Sequence, residues 1–433
     1  MKVIIVGASL SGLATALSLR KYLQTKLEEP LEITVYDEAD SVASGTVEHG
    51  NYDHTHIRTK RQGAAISLQS NAFKVLRDLD PQLAERVHAT GFPCKGFTWK
   101  TAGDWLLGHE NLQAHIISRP LLVESLQEAL PIGTVIYRTV SEVKTSASGK
   151  PTVTFSDGRT EGADLVVGAD GIRSPVRKSL FGKEEATHPV HLGRLVIGGV
   201  LELENPLPKS YLDEPRVVFI HGPNATFGYC GLYQATPNKA IYFSFYDSDL
   251  SPRGQALDYQ RLTAETRERH QGWKDPILIR CLNEATVDNL YPIFYLPDLP
   301  YWGRDGCVLV GDAAHVMTPA SGQGGSQAFE DGQTLALLLA EFIERSSKDM
   351  AIEKAIQGIF DIRSPHVYKI KADGLATKEP VRPWSWATTA MVYSFFFVMT
   401  KAKWLSSFFG QTVYPAHVWD AKEEVSKYVA AGA

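Results

Sequence analysis

Between Gly311 and Gly332 the chain reads GDAAHVMTPASGQGGSQAFEDG. Asp312 stands just behind a short apolar run, Cys307 to Val310, and the loop Gly322-Gln323-Gly324-Gly325 follows. A carboxylate there can accept from ligand hydroxyls, and glycines let a ligand approach the backbone closely. From about Ser326 a helical pattern begins (Ala328, Phe329, Leu335, Leu338, Phe342, Ile343), so free N–H groups and a positive dipole end face the loop. Such a set makes a cofactor cradle that favours a ligand that becomes anionic. Pro319 lies inside the same loop.

Two further stretches carry related chemistry. Gly7-Ala8-Ser9-Leu10-Ser11-Gly12 follows the apolar run Val3 to Val6 and matches a GxGxxG turn with Ser9 at the middle position. Asp37 closes the next apolar run, Ile33 to Tyr36, where a ribose-binding acid is expected. Asp164 to Arg177 reads DLVVGADGIRSPVR and sets Asp170 and Gly171 behind a third such run.

The elements that must position these residues are legible in outline. The apolar runs predict strands buried on both faces, and each glycine turn predicts a following helix. Arg119 precedes Pro120, which is favoured in a first helical turn, so Arg119 falls at a helix start. Asp157-Gly158 predicts a hairpin turn. From about 181 to 285 the chain turns to aromatic-rich strands, which predict a mostly antiparallel sheet. Phe227, Tyr229, Tyr233, Tyr242, Phe243 and Phe245 either line an apolar pocket there or form plain sheet core, since alternation separates faces without saying which holds a ligand. Arg194 either orients an acidic substrate or sits in a surface ion pair. His49, Asp53, His54 and His56 in the 39–62 loop read as solvated residues, so no metal site is expected.

At 433 residues the chain is too long for one ordinary core, and 44% hydrophobic with 21% charged residues marks ordered globular protein. A net charge of −5 argues against nucleic acid as the main partner. Cys94, Cys230, Cys281 and Cys307 have no zinc-ligand spacing and suggest reduced thiols in a cytoplasmic compartment. Near the carboxyl end, 384–400 is uncharged and contains Phe395-Phe396-Phe397, too short for a confident membrane span. It reads as a buried cap or as a membrane-surface helix, with peripheral contact through 384–404 where Lys401, Lys403 and Trp404 lie.

In their order, the three glycine-and-acid motifs resemble the FAD-dependent aromatic hydroxylases, the single-component flavoprotein monooxygenases of salicylate and para-hydroxybenzoate hydroxylase type. The resemblance covers about residues 1 to 370. It implies an α/β, two-domain (α+β) chain: a Rossmann-like FAD-binding domain with an inserted, mostly antiparallel sheet substrate domain and a helical C-terminal segment. The expected boundaries are 1–180 and 286–375 for the FAD domain, 181–285 for the sheet domain, and 376–433 for the helical segment. It further implies cofactor contacts by Gly7, Ser9, Gly12, Asp37, Arg119, Asp170, Gly311, Asp312, Gly322, Gln323, Gly324 and Gly325. Asp312 would be a buried acceptor for a ribityl hydroxyl, and Pro319 and Arg194 would stand at the reacting centre. Arg173 and Lys178 could meet an NADPH phosphate.

The implied reaction uses FAD, NADPH (or NADH) as co-substrate and O₂ to hydroxylate a hydrophobic, aromatic or polycyclic small molecule through a flavin C4a-hydroperoxide. Epoxidation, Baeyer–Villiger-type oxygenation and flavin-dependent reduction stay open on the same fold. So does a flavin-free role as a prenyl-binding escort protein.

Overall fold

The computed structural model describes residues 1–38, 65–146, 149–182, 187–233, 235–248, 258–287, 289–376, 383–401 and 418–432. The 39–62 loop with its histidines lies outside the described residues. The first ten strands are β1 (Lys2–Val6), β2 (Glu32–Asp37), β3 (Ile66–Gln69), β4 (Phe92–Thr101), β5 (Leu106–Ile117), β6 (Val135–Tyr137), β7 (Val140–Ser146), β8 (Gly149–Phe155), β9 (Thr160–Gly162) and β10 (Leu165–Gly168). The rest are β11 (Val190–Glu202), β12 (Val217–His221), β13 (Thr226–Gly231), β14 (Lys239–Asp247), β15 (Asn289–Tyr295), β16 (Gly303–Arg304) and β17 (Cys307–Leu309).

One six-stranded sheet runs β16-β17-β10-β1-β2-β6. Its centre is parallel, with Val6 beside Gly168 and Gly168 beside Leu309. Apart from Lys2 these strands are apolar, because they are buried between helices and the small sheet of β7, β8 and β9. The register also ends β1, β10 and β17 side by side. The three glycine-and-acid motifs, far apart in sequence, therefore emerge along one carboxyl edge, where open α/β sheets place their ligands. Strands β7, β8 and β9 form a small separate sheet around the Asp157-Gly158 turn.

The second large sheet runs β15-β11-β14-β13-β12-β4-β5-β3 and is antiparallel except where β12 meets β4. It crosses both expected boundaries, taking β3, β4 and β5 from before residue 181 and β15 from after residue 285. Sequence composition could not show this, because sheet neighbours need not be chain neighbours. Helices Tyr259–Arg269 and Pro276–Glu284 cover one face, where Phe227, Tyr229 and Tyr242 are buried with Trp273. Those three aromatics are core. The opposite face is half-buried and carries Phe97, Trp99, Phe219, Phe243 and Phe245.

Helix Gly324–Ile343 begins two residues before the expected start and is buried almost all round. It crosses helix Leu10–Tyr22 at Gly332, where an added Cβ would lie 2.8 Å from the Thr15 backbone nitrogen. Helix Lys348–Ala376 packs against it and continues through Pro365. Because the obstacle at Gly332 is backbone, it cannot swing aside. Gly332→Val should lower unfolding stability by about 1–3 kcal/mol in urea titration, as overpacking does.

Candidate cofactor site

The edge is built from close backbone approaches. Gly7 adopts φ +107°, and a Cβ there would sit 2.4 Å from the Ala169 carbonyl oxygen. A Cβ on Gly12 would meet the Gly7 carbonyl at 1.9 Å. No larger residue fits either place, so the β1 and β10 turns can touch only with glycine there. Ala8 donates its N–H to Asp37 Oδ2 at 2.9 Å, and Glu38 N–H reaches Asp37 Oδ1 at 2.7 Å. Asp37 thus fastens the first turn while each oxygen keeps a lone pair for a ribose hydroxyl. Arg119 Nη2 donates to Ser9 Oγ at 2.9 Å, which brings a guanidinium to the start of helix Leu10–Tyr22.

The second motif is tied to the third by a buried arginine. Arg177 Nη1 donates to the Ala313 carbonyl at 2.8 Å, and its Nη2 to the Ile172 carbonyl. Asp170 accepts from Val176 N–H through Oδ2 at 3.1 Å. Burial pushes the Asp170 carboxyl up to about 6.

The third motif rests on charges below it. Gly311 N–H donates to Asp331 Oδ2 at 2.8 Å, and His315 Nε2 lies 2.6 Å from the same oxygen. Arg363 donates to Asp331 Oδ1 at 2.9 Å, to Glu330 Oε2 at 2.8 Å and to Gln327 Oε1 at 2.6 Å. Asn71 then links Glu330 Oε1, at 2.7 Å, with Gln323 Oε1, at 3.2 Å. Gln69 completes the chain by donating to the Gly322 carbonyl at 3.3 Å and accepting from Gln323 Nε2. Burial alone would raise the Asp331 carboxyl. The charges of His315 and Arg363, with their hydrogen bonds, overcome it and hold Asp331 well below the usual carboxylate range.

The residues present fit FAD. Arg119 Nε and Asp170 Oδ1 are shut from solvent with no hydrogen-bond partner among the described residues, one donor and one acceptor awaiting a polar ligand at the edge. Two helix N-termini, at Leu10 and Gly324, open on the same edge and favour negative charge. Among the described residues no His, Cys, Asp and Glu group could hold a metal ion.

Each expected cofactor residue lies on one of these three turns or, for Asp37 and Arg119, against the first. Asp312 heads the short helix Asp312–His315, where its side chain is open at the edge just past the end of β17 at Leu309. Arg194 is held in an ion pair with Asp247, its cross-strand neighbour, at 2.8 Å, the second of the two readings its position left open. Pro319 is exposed and opens the turn Pro319–Ser321, ahead of Gly322. Glu330, Asp331 and Arg363 were not anticipated. Their signal was an adjacent acid pair inside a helix rich in apolar residues, which burial obliges to find a cation.

The family model described as the FAD binding domain matches residues 58–355, so the chain belongs to this family, that of the FAD-dependent aromatic hydroxylases. A 3-amino-4-hydroxybenzoate 2-monooxygenase of Streptomyces platensis is 27% identical over 389 residues, covering 85% of each chain. The chloroplastic zeaxanthin epoxidase of Oryza sativa subsp. japonica is 27% identical over 362 residues, which span 80% of this chain but 50% of that protein. The chain thus spans about half the length of that relative. The fold matches that of Klebsiella pneumoniae HpxO complexed with FAD and uric acid, with a TM-score of 0.73, 19% identity, and coverage of 94% of this chain and 95% of that one.

Two measurements probe the site separately. Asp331 pairing stabilises the fold above the ordinary carboxylate pKa, about 4, and that stability is lost as pH falls below it. Asp331→Asn should therefore flatten the acid limb of the stability curve, and Arg363→Met should cost about 3–5 kcal/mol at neutral pH by stranding two carboxylates. Asp312→Ala, at an exposed position, should leave unfolding unchanged yet weaken FAD roughly ten- to hundredfold in a fluorescence titration.

Proposed function

We propose that the protein is an FAD-dependent monooxygenase that takes electrons from NADPH (or NADH) and places one atom of O₂ on a hydrophobic, aromatic or polycyclic small molecule. One observation carries this reading. A cofactor edge built from three chain segments adjoins a sheet whose open face is apolar and aromatic. Gly325 packs on Ile66 of β3, so the glycine loop and that sheet touch. Phe219 lies 5.8 Å from Phe97 and 5.6 Å from Phe243, ring centre to ring centre, across the open face. An apolar wall with few convergent charges suits a flat, hydrophobic substrate.

FAD, when bound, supplies the electron transfer and oxygen activation. The protein's own residues bind and orient it. Arg119 and the N-terminus of helix Leu10–Tyr22 would meet its phosphates, Asp37 a ribose hydroxyl, and Asp312 and Asp170 other hydroxyls of the chain between. The Gly324 helix end favours negative charge gathered beside the Gln323 loop. Pro319 and the aromatic face would exclude water from the reacting centre. The nicotinamide donor has no second cradle among the described residues. An open cleft of about 420 Å³, lined by Arg173, Lys178 and His188 beside the Asp170 turn, would receive its phosphate.

Labelled O₂ with NADPH and a panel of aromatic and terpenoid compounds tests the reading. One labelled atom should enter the product and the other should leave as water. A protein that NADPH reduces but that returns only hydrogen peroxide across the panel would be an oxidase or reductase instead.

A further inference from the structure

Helix Trp386–Lys401 has two unlike faces. Its inner face is pinned to the sheet. The Phe396 ring stacks on His221 at 4.6 Å and on Trp99 at 6.2 Å, and Tyr393 Oη donates to the His221 carbonyl at 2.8 Å. Just ahead, Trp384 N–H donates to the Pro223 carbonyl at 2.9 Å. Its outer face is apolar and turned to solvent: Trp386 is 85% exposed, Met391 60%, Phe395 51% and Val398 40%. Ser394 is the polar side chain on that arc.

The β4–β5 turn enlarges the patch. Trp105 is 77% exposed and Leu106 45%. Strand β5 packs against the helix, and Trp99, under Phe396, pairs with Gly108, two residues from Leu106. Soluble proteins seldom leave adjoining elements both showing large apolar side chains to water.

We propose that this face docks on an anionic lipid surface. The charge pattern selects that occupant. No Asp or Glu stands between Glu379 and Asp420, although the whole chain carries −5, and the same stretch holds Arg382, Lys401 and Lys403. Apolar rings flanked by lysines suit a bilayer interface, with the rings among the acyl chains and the ammonium groups at the phosphates. The helix lies on the surface and does not cross it. Its 16 residues reach about 24 Å against roughly 30 Å of hydrocarbon, and one face is committed to protein. Among the described residues no helix is long and apolar enough to span a membrane. The docked face would set the aromatic sheet beside a reservoir of apolar compounds. Docking itself does not depend on the reaction, so lipid binding and oxygen incorporation succeed or fail separately.

The test floats the full-length, FAD-loaded protein with phosphatidylcholine vesicles, with and without phosphatidylserine. Binding to the phosphatidylserine vesicles is expected, weakening as salt rises. Trp386→Ser with Phe395→Ser should reduce it roughly tenfold per ring removed. Lys401→Gln with Lys403→Gln should reduce it roughly fivefold per lysine, on anionic vesicles alone. Flavin absorbance and urea unfolding should stay as in the wild type. Trp386→Phe, which keeps an apolar ring, should retain binding while losing part of the tryptophan quenching by brominated lipid. No binding to anionic vesicles, or binding unmoved by the ring substitutions, overturns the proposal. So does a dimer in solution that the ring substitutions dissolve, which would give the face to a second copy of the chain.

Discussion

The site depends on a buried arginine held between two carboxylates. Arg363 is fully buried, and so are Glu330 and Asp331, which it bridges. Charges in such a place are tolerable only when each is paired and hydrogen-bonded. Meeting that demand fixes geometry elsewhere. Asp331 spends its other oxygen on the Gly311 N–H, so the Asp312 turn cannot drift from helix Gly324–Ile343. Glu330 reaches Gln323 through Asn71, so the glycine loop is set by the same arginine. The cofactor edge is thus tied at both the Asp312 turn and the glycine loop to one buried charge cluster.

Above that base, two sheets divide the work. The parallel sheet lines up three turns by register; close contacts at Gly7 and Gly12 join the first to the second, and Gly311 against Ser11 joins the third to the first. The other sheet commits one face to helices and leaves the opposite face aromatic and half-open. The cofactor edge and the aromatic face thus come from different parts of the chain and meet near β3. The carboxyl-terminal helix closes the far end, with Phe396 on Trp99 and His221.

Legibility in the sequence followed the range of the interactions. Local signals held: apolar runs became the three central strands, Arg119-Pro120 began a helix, and Asp157-Gly158 made its turn. Residue type and spacing carry such signals. Long-range pairings did not show. Strands β4 and β5 joined the aromatic sheet across an apparent boundary, and Arg363 found Asp331 from a different helix, 32 residues further along the chain, where it was one charge among many. The place of Asp312 on its turn was legible, whereas the direction of its side chain was not, since a strand end fixes where a turn begins and not where its side chain points. Alternation could not tell which sheet face stayed open, because that depends on where helices Tyr259–Arg269 and Pro276–Glu284 dock.

Amide hydrogen exchange with and without FAD tests the central claim most directly, that one rigid site is assembled from three distant segments. Adding FAD should slow exchange together in residues 7–14, 168–177 and 311–327, while helices Tyr259–Arg269 and Pro276–Glu284 stay unchanged. Protection confined to one of the three segments, or spread evenly over both sheets, would contradict it.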